Sequence, residues 1–160
     1  MQASFLAKSF AYTADVLRAQ VSELSHDESL RQLVAGGHSI NWLTGHIVSS
    51  RSTPLRRVGA EPVWSEAARK RYRNGSPPIG AEGPGVLPLP ELIRLFERSQ
   101  ERLNAGLLRL SVADLARLSG YGKNTVAESL FYFHFHEAYL VGQLTMVAEA
   151  LGKSAKYINS

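Results

Sequence analysis

Apolar residues return every three or four positions in four separate stretches of this 160-residue chain, the repeat of helices with one buried face. The first stretch, residues 4–25, lines up Leu6, Phe10, Thr13, Leu17, Val21 and Leu24. In the second, residues 39–57, Ile40, Leu43, Ile47 and Val48 turn inward, behind the breaker Gly36-Gly37 and with Ser39 as N-cap. The third opens at Pro90-Glu91, a first-turn proline beside a carboxylate that suits the positive helix end. Its stripe is Leu92, Leu95, Phe96, Ser99, Leu103 and Leu110.

A fourth helix starts at Thr125 and Glu128, spaced as a capping box. It continues through Val126, Leu130, Phe133, His136, Leu140, Leu144, Val147 and Leu151 to a stop at Gly152. This segment is apolar around much of its circumference, which predicts an element packed on several sides.

Between the second and third helices the chain changes character. Residues 74–90 read NGSPPIGAEGPGVLPLP and hold five of the seven prolines and four glycines, so no long regular element forms there. A short helix near residues 64–72 precedes it. The pattern predicts an all-α fold, a four-helix bundle with one long crossover between helices 2 and 3 and two short connections, as a single domain over residues 1–160.

Size and composition narrow the functional classes. The chain is long enough for its own core. With no cysteine it has no disulfide framework, thiolate ligand or cysteine nucleophile, which fits a reducing, cytoplasmic setting. No basic leader precedes an apolar block, and no run of about 18 apolar residues is present, so a signal peptide and a membrane span are not expected. The net charge of +4 collects in Arg51, Arg56, Arg57, Arg69, Lys70, Arg71 and Arg73. Only Trp64 and Tyr72 accompany them, without a nucleic-acid-binding signature, so the stretch reads as a solvated basic face.

Two histidines carry the candidate chemistry. His46 follows Leu43 by three positions, and His136 stands between Phe133 and Leu140, so both share the inward face of their helices. Imidazoles converging from two helices are one way bundles build metal sites, and an inward histidine is also an ordinary hydrogen-bonded core residue. His134 is a poor partner, because two residues are about 200° around a helix. Glu137 falls in the seam of Phe133 and Leu140, where a carboxylate needs an imidazole, an ion or another helix's side chain as partner. His38, at the mouth of helix 2, reads as a surface histidine. No phosphate-cradling glycine loop or nucleophile elbow occurs.

The segments GGHSINWLTGHIVSSR (residues 36–51) and HEAYLVGQL (residues 136–144), followed by Leu151-Gly152-Lys153, resemble the DinB-like or YfiT-like bundle superfamily. The matching motifs are W-x-x-G-H on helix 2 and H-E-A-Y-H-x-G-Q on helix 4. The resemblance implies a divalent metal, zinc or nickel, held by three histidines with water in the open position. The first two ligands match His46 and His136, and the third falls on Leu140, which cannot ligate. Trp42, Tyr139 and Gln143 match positions around that site, as cofactor-binding or packing groups. If zinc binding through four ligands is worth about 10–16 kcal/mol, each ligand contributes roughly 3 kcal/mol, and a two-histidine remnant binds metal weakly unless Glu137 joins it.

Two functions follow from the resemblance. One is a bundle that has lost its metal and binds a small ligand or a protein partner in the former site, without catalysis. The other is a metal-dependent transferase or isomerase that uses a thiol cofactor, the thiol coming from outside a chain without cysteine. Homodimers are expected in either case.

Overall fold

Capping side chains written into the sequence start most of the helices. The computed structural model describes residues 2–120 and 122–153. Its helices are α1 (Ala3–Val21), α2 (His26–Leu30), α3 (Ile40–Ser50), α4 (Ser52–Arg57), α5 (Glu66–Arg69), α6 (Leu89–Leu107), α7 (Val112–Ala116) and α8 (Val126–Ala150). Ser39 caps α3, and Thr125 with Glu128 forms the capping box of α8. Ser25 with Glu28 and Ser111 with Asp114 build the same device at α2 and α7. At the far end of α8, Gly152 takes φ +77°, and the amides of Gly152 and Lys153 close onto the carbonyls of Glu149 and Ala148.

Four long elements form the bundle. Helices α1 and α3 each pack against both α6 and α8, so α1 lies diagonally opposite α3, and α6 opposite α8. Ser9 meets His134 and Thr13 meets Glu137, so α1 and α8 run parallel. Asn41 meets Leu87 and Arg51 meets Ser99, so α3 and α6 are parallel as well. The long crossover follows from this arrangement. The chain leaves α4 at one end of the bundle and must begin α6 at the other.

The expectation of two short connections is not met. Residues 22–39 and 108–125 carry α2 and α7, because a link between diagonal helices has to cross the end of the bundle. The first predicted helix accordingly ends at Val21, and the second is divided at Arg51 into α3 and α4. A short helix in the crossover is present as α5, continued by a 3-10 turn at Lys70–Tyr72.

Arg51 and Glu137 form a buried ion pair in the core. Arg51, read from composition as part of a solvated basic face, is only 1% exposed. Its Nε and Nη2 donate to the two oxygens of Glu137, both at 2.7 Å. Nη1 donates to the Ser99 hydroxyl at 2.9 Å, Nη2 to the Gln100 amide oxygen at 2.8 Å, and the guanidinium lies 4.0 Å from the centre of the Phe96 ring. Thr13 donates to Glu137 at 2.7 Å. All four bundle helices, with Arg51 standing at the junction of α3 and α4, therefore meet in one hydrogen-bonded network. A planar guanidinium suits this position because it satisfies a carboxylate with two parallel bonds and still has donors to spare.

Removing one partner leaves the other charge buried without compensation. Glu137→Leu should cost about 3–5 kcal/mol of stability, and Arg51→Met a similar amount. The double variant should recover a large part of that loss in urea unfolding. Additive losses in the two single variants would show that the pair does not act as a unit.

Candidate functional site

The crossover is docked onto α3, and the W-x-x-G-H motif is the surface that receives it. A Cβ on Gly45 would stand 2.0 Å from the Tyr72 ring, so only glycine lets that ring lie against the helix. The Tyr72 hydroxyl donates to Asn41 at 3.0 Å and accepts the Leu87 amide at 2.8 Å. The Trp42 indole N–H donates to Ser76 at 2.9 Å, and Asn41 donates to the Leu87 carbonyl. Irregular backbone can be buried here because helix side chains satisfy its polar groups.

His46 takes part in the same docking. Its Nδ1 lies 2.7 Å from the carbonyl oxygen of Tyr72. A carbonyl only accepts, so Nδ1 carries the hydrogen and the neutral ring keeps a lone pair on Nε2. The His136 ring meets it edge-on, with centroids 5.4 Å apart. The Nδ1 of His136 is buried and has no hydrogen-bond partner among the described residues. Burial pushes the pKa of both imidazoles below the usual histidine value, the nearby Glu137 opposing it at His136. Both rings are therefore neutral near pH 7.

Trp42 continues the row. It stacks on His46 at 4.6 Å and on His38 at 3.7 Å, which gives an aromatic series His38, Trp42, His46 and His136. Trp42 and His46 are one turn apart on one side of α3, and His38 stands just before its N-cap Ser39. His38, expected as an ordinary surface histidine, is the outer member of this series. It borders a groove of about 200 Å³ that Leu33, Val34, Gln143, Met146 and Val147 also line.

Other sequence-predicted residues are placed differently. Leu140 is buried on the turn after His136. Glu137 has both oxygens taken by Arg51, with Thr13 as a further donor. Tyr139 is 62% exposed, and Gln143 lines the groove that His38 borders. His134 points to α1, where it donates to the Ser9 carbonyl and meets the edge of Phe10. Among the described residues no group of three His, Asp or Glu side chains is arranged to hold a metal ion. Two imidazoles with hydrocarbon in the third position do not complete the three-histidine set implied by the resemblance.

Arg51 and Tyr72 were not singled out from sequence. Arg51 did carry a signal, since it follows Ile47 by four residues on the inward stripe. Tyr72 carried none, because its partners Asn41 and Gly45 lie far back along the chain.

Two measurements check this geometry. Gly45→Ala forces a methyl group into the Tyr72 ring and should lower stability by about 1–3 kcal/mol. Limited proteolysis should then cut within residues 58–88 faster than in the parent, and an unchanged rate would argue against the docking. The second concerns pH. Because His46 and His136 have lowered pKa values in the fold, the unfolded chain binds protons first, near its ordinary histidine pKa of about 6.5. Stability should be full above that value and fall as pH drops through it toward the folded-state values. Urea unfolding between pH 7.5 and 5 should show the slope, and His46→Gln with His136→Gln should flatten it.

The family comparison agrees with this architecture. The family model described as DinB superfamily matches residues 9–144, a span that runs from α1 to the groove-lining end of α8. No curated protein matches the chain. With most of its length matched, and with the bundle and long crossover in place, the chain belongs to the DinB superfamily.

Proposed function

We propose that this protein binds a small neutral ligand at the His46–His136 pair and performs no catalysis there. The observation that carries the reading is the buried, unpartnered Nδ1 of His136, set 5.4 Å ring to ring from an imidazole whose Nε2 holds a lone pair. A buried polar atom without a partner costs free energy until something bonds to it. A ligand carrying a hydroxyl or amide, able to donate as well as accept, suits two neutral imidazoles. A carboxylate does not, since desolvation opposes protonation of both rings. Leu140 beside His136 favours an apolar body on that ligand.

The metal-dependent, thiol-using enzyme is the second reading, favoured by the same two nitrogens, which are also the atoms a metal would take. Elemental analysis and zinc titration of the untagged protein separate the two. Under the ligand-binding reading the purified protein carries little metal, and zinc binds weakly. Leu140→His should then raise zinc affinity on the order of a hundredfold, the worth of one added ligand at about 3 kcal/mol. Near-stoichiometric metal in the parent protein that disappears in His46→Ala would replace the ligand-binding reading with the enzymatic one. No gain from Leu140→His would mean that residue 140 does not face the pair.

A further inference from the structure

Two turns away from the Arg51–Glu137 network, a second polar layer crosses the bundle. Gln20 stands seven residues after Thr13 on α1, and Thr44 of α3 stands seven residues before Arg51. Seven residues are close to two full turns, so Gln20 keeps the inward direction of Thr13, and Thr44 that of Arg51. Helix α1 runs parallel to α8, whereas α3 runs against it. His46 meets His136, and His38 shares a groove with Gln143 and Val147. Two turns forward in α1 and two turns back in α3 therefore lead the same way. They arrive at one level, about 10 Å from the ion pair along the bundle axis.

The other two helices give that level only hydrocarbon. The contact of Thr13 with Glu137 sets Leu144 level with Gln20, and that of Arg51 with Ser99 sets Leu92 level with Thr44. Both leucines are fully buried. Gln20 is 3% exposed and Thr44 is 0% exposed. Yet Nε2 and Oε1 of Gln20 and the Thr44 hydroxyl have no hydrogen-bond partner among the described residues. Thr145 donates to the Val141 carbonyl four residues back, a bond that helical geometry offers to any threonine. Thr44 does not make it.

Three orphaned atoms on two side chains restrict what can satisfy them. A direct bond between Gln20 and Thr44 would serve one end of the amide and leave the other buried without a partner. An ion gains little here, because none of the four residues carries a charge to hold it. Water both donates and accepts, so it suits either end of the amide and the hydroxyl alike.

We infer that this layer is a site for ordered water, with at least one molecule bridging Gln20 and Thr44. The bridge joins α1 to α3, the diagonal pair of the bundle, in the stretch of α3 that carries Trp42 and His46. It is separate from the histidine pair and does not rest on the ligand-binding reading.

A high-resolution crystal structure of the full chain tests the site directly. Water within hydrogen-bond distance of both the Gln20 amide and the Thr44 hydroxyl is the expected result. A layer without water, or water that reaches only one of the two residues, would overturn the inference. A double-mutant cycle reads the bridge in solution. Gln20→Met and Thr44→Val each take one partner from the same water. The double variant should therefore have an unfolding constant on the order of fivefold below the product of the two single effects. Effects that simply multiply would overturn the bridge. If Gln20→Met does not fold, crystals of two conservative variants decide: Thr44→Ser should keep the water, Thr44→Val should lose it, and the same water in both would count against the inference.

Discussion

The Arg51–Glu137 pair constrains the orientation of everything on α8. A buried carboxylate without its cation is far more costly than most packing errors, so α8 settles at the rotation that places Glu137 against Arg51. Successive residues are about 100° apart, so this choice aims the neighbours as well. His136 then comes to face α3 and meets His46. Phe135 and Tyr139, each two residues from Glu137, are turned about 200° away into solvent. The candidate site and the outward-facing aromatic residues are two consequences of one ion pair.

The same pair ties the bundle together where close packing alone would allow slippage. Apolar stripes tolerate small rotations and shifts, because hydrophobic burial is not directional. Thr13 of α1, Arg51 after α3, Ser99 and Gln100 of α6 and Glu137 of α8 admit one arrangement in which all their bonds are made. Such networks are sensitive to any missing member. Stability and register are therefore concentrated in a few polar contacts at the centre.

Around His46 the crossover supplies what the helices do not. The Tyr72 carbonyl assigns the hydrogen on His46, and the Tyr72 ring occupies the space that Gly45 leaves open. The 3-10 turn that ends at Tyr72, just before the proline- and glycine-rich stretch, thus acts as one wall of the histidine pair. The carbonyl of its last residue is directed at the imidazole edge. The stacking of His38, just before α3, on Trp42 and of Trp42 on His46 orders the row from the other side.

What the sequence determined by itself is local in origin. Helix starts at Ser39 and Thr125, the stop at Gly152 and the inward aim of His46, His136 and Glu137 follow from capping chemistry and the helical period. The all-α class and the long crossover were legible for the same reason. The breadth of apolar character on the last helix is legible too and predicts burial on several sides, whereas Phe135 and Tyr139 face outward. Periodicity shows which residues share a face and says nothing of what stands opposite. Only the tertiary structure decided that Glu137 belongs to Arg51, 86 positions earlier, and that Gly45 exists to admit Tyr72. Those pairings join residues far apart in the chain, and no local rule of spacing or propensity encodes them.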